Sequence, residues 1–326
     1  MVPGRAKRVF ARCSSRLIRS GRLLVAVGVA MTLGGLPAQA EPARVTDHPV
    51  PSTGCGKASA VAPGSSQTRT IVSGGTTRSY LVHVPENYRQ AKPISLVLSF
   101  HGHKRTSEYQ AELSEFSATD AIAVYPQGLV GTDGETAWQG APYSADADDV
   151  LFTGDLLDEL QRDLCVDPKR IYAAGKSNGG GFTGVLACQM SRRIAAFAPV
   201  SGAFYPQGGA CEPERAAPIL DFHGNADATI PYPGNPDKGL PPIPEWLAGW
   251  ADRNDCHDGP IVRDEGNGVQ VSRWAGCDRG GDVVHYKIEG LGHDWPSTHP
   301  NPDSDEPAVI DATPIIMQFF ARHQLR

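Results

Sequence analysis

The chain has 326 residues, with 30 basic and 36 acidic side chains and a net charge of −6. Hydrophobic residues make up 40% and charged residues 20%, the balance of a globular protein with a sizeable core, which excludes disorder along its whole length. The acidic surplus argues against nucleic acid or an anionic membrane surface as a partner.

The first 40 residues are set apart from the rest. Seven basic residues lie between Arg5 and Arg22 with no acidic residue among them, an apolar run from Leu23 to Leu36 follows, and Ala38-Gln39-Ala40 ends it. A basic stretch, an apolar stretch and a small-x-small site, in that order, predict a secretory signal peptide cleaved after Ala40. The apolar run is too short to cross a bilayer, which needs about 20 residues. A lipid-acceptor reading of Ser52-Thr53-Gly54-Cys55 is weak, because it lies well past the apolar run. Without the signal, 23 basic residues face 36 acidic ones, a net charge of about −13, and Cys13 is lost, leaving six cysteines. An even number in an oxidising compartment predicts three disulfides, among fifteen possible connectivities. No pair has CxxC spacing, so zinc is not expected.

Residues 41–64, rich in Pro, Ala, Gly and Ser, form an expected irregular lead-in to one domain over 65–326. Strands are predicted at Ser79–Val84, Ile94–Phe100 and Ala121–Tyr125, with a short helix over 107–117 between the last two. Apolar residues at Val150, Leu151, Leu156, Leu157, Leu160 and Leu164 predict a helix over 149–164. Asp148 and Asp149 suit its N-cap. A strand over 170–174 precedes a small-residue helix over 180–190, and further strands fall at 196–200 and 219–222. A helix over 244–252, a strand over 283–288 and a closing amphipathic helix over 308–323 complete the series. Continuous apolar strands interleaved with helices imply an α/β fold: a mostly parallel central sheet with helices on both faces. In such sheets, working residues collect in loops at the carboxyl ends of strands.

Gly175-Lys176-Ser177-Asn178-Gly179 matches G-x-S-x-G between a predicted strand and a predicted helix. An elbow of this kind needs small neighbours at a tight turn and lifts a serine hydroxyl clear of the backbone. The motif alone is weak and its context carries the weight. A serine needs a base to act as a nucleophile, and in elbow hydrolases the acid and then the histidine follow in the chain. Asp227 follows the 219–222 strand and His293 follows the 283–288 strand, so three strand-end loops offer Ser177, Asp227 and His293. Asp221 sits inside a strand and suits a structural role. Asp294 is too close in sequence to reach round the imidazole of its neighbour, and His223 is the lesser choice on the Asp227 loop. His83 and His285, within strands, suit core positions, and His48, His257, His299 and His323 suit loops or the surface.

An oxyanion hole requires two donors. The N–H of Asn178 is one, and the other belongs to the loop His101-Gly102-His103-Lys104, with His103 preferred and Lys104 open. Trp138, Gln139, Tyr143, Phe204, Tyr205 and Trp295 are candidates for the walls of a substrate pocket. No phosphate loop, dinucleotide fingerprint or HExxH occurs, so no cofactor is expected.

These residues fall within longer blocks: "CVDPKRIYAAGKSNGGGFTGVLACQMSRRIAAFAPVSGAFY" (165–205), "LVLSFHGH" (96–103), "TAWQGAPY" (136–143), "DDVLF" (148–152), "FHGNADATIPY" (222–232) and "GLGHDWP" (290–296). Together they resemble secreted feruloyl esterases of carbohydrate esterase family 1 and the related polyhydroxybutyrate depolymerase-like esterases, over roughly residues 55–323. The blocks around 96–103 and 196–205 look more like the feruloyl branch. The resemblance implies an α/β-hydrolase fold and release of ferulate from feruloylated plant cell-wall polysaccharide or a small ester. It assigns Ser177 as nucleophile, His293 as base and Asp227 as its orienter. Polyhydroxybutyrate depolymerase-like or acetyl-xylan esterase activity is the alternative. It also implies a Cys256–Cys277 disulfide, taken to flank the strand leading to His293, which leaves Cys165–Cys188 and Cys55–Cys211 as the remaining pairs. A secreted monomer without nucleic-acid or membrane partners is expected.

Overall fold

The computed structural model describes residues 48–326; the expected signal segment and its cleavage site lie outside the described residues. Within them the strands are β1 (Ser65–Ser73), β2 (Thr76–Val84), β3 (Ile94–Phe100), β4 (Ile122–Pro126), β5 (Leu129–Val130), β6 (Thr136–Ala137), β7 (Val166–Lys176), β8 (Ala196–Val200), β9 (Ile219–Gly224), β10 (Asp258–Gly266), β11 (Val269–Ala275) and β12 (Val283–Ile288). The helices are α1 (Ser107–Ser114), α2 (Asp149–Asp163), α3 (Asn178–Gln189), α4 (Ile243–Arg253) and α5 (Ala312–Phe320). No described helix is long and apolar enough to cross a membrane.

Ten strands form one sheet in the order β1-β2-β4-β3-β7-β8-β9-β12-β11-β10, and β5 and β6 form a small separate hairpin. The inner six, β4 to β12 in that order, pair in parallel. β1-β2 and β11-β10 flank them as antiparallel pairs. Alternation along the inner strands divides the core. Leu96, Leu98, Ala173 and Phe197 face one side, where Phe152, Leu156 and Leu160 of α2, Phe182 of α3 and Leu247 of α4 cover them. Val97, Tyr172, Ala174 and Ala198 face the other, beneath Leu113 of α1 and Ile316, Phe319 and Phe320 of α5. Burial on both faces is why these strands show apolar runs rather than alternation.

The flanking strands β1, β10 and β11 are absent from the sequence expectation. Every residue of β10 is exposed and β1 is largely so, which leaves neither a buried stripe to mark it. Pairing with a neighbour, rather than propensity, makes them strands. Helix α2 starts as expected, with the Asp148 side chain accepting from the Leu151 N–H at 2.8 Å. Asp149 has another role: it is buried and ion-paired to Arg78 at 2.7 Å.

The disulfides are Cys55–Cys165, Cys188–Cys211 and Cys256–Cys277. The expected pairs Cys165–Cys188 and Cys55–Cys211 are therefore corrected. The lead-in docks on the α2–β7 junction, where Ser52 N–H donates to Val166 O and Gly54 N–H to Gln161 O, which sets Cys55 beside Cys165. Cys188, near the end of α3, faces the loop that carries Cys211, 23 residues on. Cys256 and Cys277 clasp the base of the β10–β11 hairpin rather than the strand leading to His293.

Candidate active site

The carboxyl ends of β3, β7, β8, β9 and β12 lie along one edge of the parallel sheet, and the sequence-predicted residues follow them. β7 ends at Lys176, and Ser177 turns the chain into α3 with φ 58° and ψ −120°. Such a conformation is unfavourable for a side-chain-bearing residue and persists only where its surroundings over-determine it. They do so here. The Ser177 N–H donates to Val200 O at 2.9 Å, and its carbonyl accepts from the Gly181 and Ala203 N–H groups, each at 2.9 Å. The flanking glycines answer to space. A Cβ on Gly175 would strike the Gly179 carbonyl, and one on Gly179 would strike the Phe100 carbonyl. Ser177 is half-buried.

Asp227, buried in the loop after β9, is held on both oxygens. Oδ1 accepts from the Thr229 N–H at 2.9 Å and the Ile230 N–H at 2.8 Å. Oδ2 accepts from His293 Nδ1 at 2.7 Å. Nδ1 therefore carries the ring proton and Nε2 is the basic nitrogen. The two loops are tied together: Gly290 N–H donates to Asn225 Oδ1 at 2.7 Å and Ala226 N–H to Leu291 O at 3.1 Å. Neither the Ser177 hydroxyl nor His293 Nε2 has a hydrogen-bond partner among the described residues, so the serine–histidine contact is open here, as is common in unliganded sites.

The electrostatics suit a base. Burial pushes the His293 imidazole below its ordinary range, Lys176 adds to this, and Asp227 opposes it. Burial works against the Asp227 carboxylate, but hydrogen bonds from His223 and His293, with the Ile230 N–H, hold it well below the usual carboxylate range. His223, set aside in the sequence, is the second imidazole on this acid. Its Nε2 lies 3.4 Å from Asp227 Oδ2 and donates to Ile230 O at 2.9 Å. Asp221 pairs with His285 at 2.8 Å across β9 and β12, and His285 reaches the Tyr232 hydroxyl at 3.0 Å, a buried structural network apart from Ser177.

Two further contacts fasten the His293 loop to the elbow. Lys176 Nζ lies 2.7 Å from Asp303 Oδ2, both buried, and Asp303 also accepts from the Tyr109 hydroxyl at 2.6 Å. Ser201 Oγ donates to Asp294 O at 2.9 Å. Lys176 and Asp303 escaped the sequence reading because nothing local marks a lysine and an aspartate 127 positions apart as partners.

The loop after β3 presents a second unengaged N–H. The Lys104 N–H is engaged by Thr136 O at 3.0 Å, while the His103 N–H has no partner among the described residues. The Asn178 N–H, at the start of α3, is likewise without a partner among the described residues. The segment around β5 and β6 braces the loop. Thr136 Oγ1 donates to Arg105 O at 2.7 Å, Gly128 N–H to His101 Nε2 at 2.9 Å, and Asp133 pairs with His103 Nε2 at 2.8 Å. Burial drops the His101 imidazole to about 4, so it stays neutral.

Trp138, expected to wall a pocket, is fully buried. Its ring stacks on Phe182 at 5.3 Å and its Nε1–H donates to His101 O at 2.9 Å. Its own N–H donates to Asn178 Oδ1 at 2.7 Å. Trp138 thus ties the His101 loop to Asn178, and it is removed from the pocket walls. Trp295, at 1% exposure, is removed too; it packs edge-on against Phe116 and donates to Thr313 Oγ1. Gln139 caps α2, its Oε1 accepting from the Asp149 and Val150 N–H groups. Tyr143 and Tyr205 are half-buried, with the Tyr143 ring tilted 4.1 Å from the His103 ring and edge-on 5.9 Å from Tyr205. Phe204 stacks on Trp246 at 3.6 Å beside α3.

No family model matches the chain. Feruloyl esterase B of Piromyces equi is 33% identical over 230 residues, covering 66% of this chain; the chain spans only 42% of that protein. Feruloyl esterase D of Neurospora crassa is 27% identical over 311 residues, covering 90% of this chain and 95% of that one. Among solved structures, an acetyl xylan esterase from Aspergillus awamori superimposes with a TM-score of 0.56 at 14% identity, over 78% of this chain and 99% of its own. With its parallel sheet and strained serine elbow, and by its likeness to that structure, the chain has the α/β-hydrolase fold.

Proposed function

We propose that the protein is a secreted serine esterase that hydrolyses feruloyl esters of plant cell-wall polysaccharide. The observation that carries this reading is the Asp227–His293 hydrogen bond at 2.7 Å, on the same sheet edge as a serine held in a strained elbow. Similarity to two proteins named feruloyl esterase supplies the substrate class. Three disulfides suit an oxidising compartment and so support secretion.

In this mechanism His293 Nε2 takes the Ser177 proton as the oxygen attacks the ester carbonyl. The oxyanion is received by the N–H groups of Asn178 and His103. The imidazolium, stabilised by Asp227, returns its proton to the departing alcohol, leaving an acyl-serine. Water, deprotonated by the same imidazole, then attacks the acyl carbon. Ferulate leaves and Ser177 regains its proton. The aromatic group His103–Tyr143–Tyr205, beside the oxyanion loop, is the wall for the phenyl ring.

The test is hydrolysis of methyl ferulate beside p-nitrophenyl acetate and a hydroxybutyrate oligomer, with Ser177→Ala as control. Fast release of ferulate that depends on Ser177 supports the proposal. Release of acetate or hydroxybutyrate alone would keep the serine chemistry and discard the feruloyl substrate.

A further inference from the structure

The loop after β9 closes a ring of contacts around its acid. Ile230 serves that ring from both ends: its N–H donates to Asp227 Oδ1 at 2.8 Å, and its carbonyl accepts from His223 Nε2 at 2.9 Å. The same Nε2 lies 3.4 Å from Asp227 Oδ2, which completes the circuit. His223 is fully buried and its Nδ1 has no partner among the described residues, so the Ile230 carbonyl fixes the ring proton on Nε2. The two oxygens of Asp227 are therefore held unequally. Oδ1 has two main-chain donors, on Thr229 and Ile230. Oδ2 has His293 and, among the described residues, only His223 besides. Since His293 is the group to be placed, His223 is the scaffold contact on the oxygen that places it.

An aspartate carboxylate turns readily about its Cβ–Cγ bond unless both oxygens are tied. Loss of the His223 contact would free Oδ2 to swing and leave its charge less compensated, and both changes reach His293. The surrounding charges do not replace that contact. Asp221 stands two residues before His223 on β9, with His285 opposite it on β12 and Lys287 opposite His223. The Tyr232 ring lies 6.0 Å from the His223 ring. His293 is faced by Lys176 and Asp303 as well as by Asp227, and Asp294 follows it in the chain. Of these groups only His223 and His293 touch Asp227 Oδ2. Burial works against a charged His223 ring, yet Asp227, Asp221 and the Ile230 carbonyl together raise it above its ordinary range, so it becomes a stronger donor toward acid pH.

We propose that His223 is a positioning residue: acting through Asp227 Oδ2, it sets the orientation and the basicity of His293. The inference rests on the esterase reading above and adds a residue to its machinery. The measurement is kcat and the pH profile of kcat/KM for methyl ferulate in the wild type, His223→Phe, His223→Asn and His223→Gln. Phenylalanine keeps a ring without a donor, the asparagine amide stops at the Nδ1 position, and the glutamine amide reaches the Nε2 position. His223→Phe and His223→Asn are expected to lose about tenfold in kcat at unchanged KM, the worth of one hydrogen bond to a charged group. Their acid limb moves to higher pH, because a less compensated carboxylate favours the His293 imidazolium. His223→Gln restores kcat to within about threefold and returns the limb to its wild-type place. A limb that stays put or moves to lower pH in folded His223→Asn overturns the proposal, as does a His223→Gln enzyme no better than His223→Asn. If His223→Phe does not fold, the comparison of His223→Asn with His223→Gln decides. The titration of the His293 imidazole followed by NMR without substrate separates this from failure of the esterase reading. A midpoint raised in His223→Asn and restored in His223→Gln upholds the positioning role even if no ester is cleaved. A midpoint that does not move overturns it.

Discussion

The elbow and the His293 loop stand on the same sheet edge but are held by different physics. Around Ser177, position is set by close packing. Gly175, Gly179 and Gly181 each abut a backbone carbonyl with no room for a Cβ, and the strained φ of Ser177 is enforced by backbone hydrogen bonds on either side. Around His293, position is set by polar side chains: Asp227 on the ring, Asn225 on the loop, Ser201 and the Lys176–Asp303 pair behind it. The first kind of support tolerates no added atom. The second tolerates change in shape but responds to charge and pH. Under the proposed mechanism, a rigid serine and an imidazole whose surroundings can be tuned are what general-base catalysis asks of a site.

Substitutions can break this contrast, and the largest effects belong to the reacting groups. Ser177→Ala is expected to lower kcat by roughly 10⁶ with the far-UV spectrum unchanged. Asp227→Asn leaves the packing intact but favours the wrong tautomer of His293, so kcat falls by about 10⁴; pre-steady-state acylation would register it. Gly179→Ala probes the steric half, since the methyl group must displace the Phe100 carbonyl. It is expected to cost about 2–4 kcal/mol of stability in a denaturant titration, along with most activity.

Lys176→Met probes the polar half. His293 acts as a base only when neutral, and its imidazole titrates below the ordinary range because of burial, with help from Lys176. Removing the ammonium, and leaving Asp303 as a bare negative charge, favours the imidazolium. The acid limb of the kcat/KM profile therefore moves to higher pH, whereas a shift to lower pH would contradict this account. Trp138→Phe, which removes the indole N–H from the His101 carbonyl, is expected to reduce kcat about tenfold with little change in KM, because it loosens the oxyanion loop rather than the substrate. At the small end, Val262→Lys on the exposed strand β10 should change stability by less than about 0.5 kcal/mol and leave activity alone.

Much of this arrangement was legible in the chain. Apolar runs such as Ile94–Phe100 and Ala196–Val200 marked the parallel strands because both their faces are buried. The edge strands β1 and β10 were silent because exposed faces leave no periodic trace. Ser177, Asp227 and His293 stood out because each lies in the loop just past a strand end, where side-chain chemistry is written locally. Trp138 misled for the same reason in reverse. An aromatic in a loop near the site resembles a pocket wall, and only the packing reveals that it is buried under Phe182 and anchors the oxyanion loop. Of the cysteine pairs, Cys256–Cys277 was expected from the resemblance and forms, whereas Cys55 and Cys165, 110 residues apart, were paired otherwise in the sequence expectation.

The sequence by itself determined the fold class, the elbow and the order of its chemical residues. Each follows from short-range rules: the period of burial, the size of a glycine, the end of a strand. The tertiary structure alone decided which partners meet. It set Lys176 against Asp303 and Lys104 on Thr136, so that the His103 N–H is left free. Those choices depend on distances between residues remote in the chain, which no local pattern encodes.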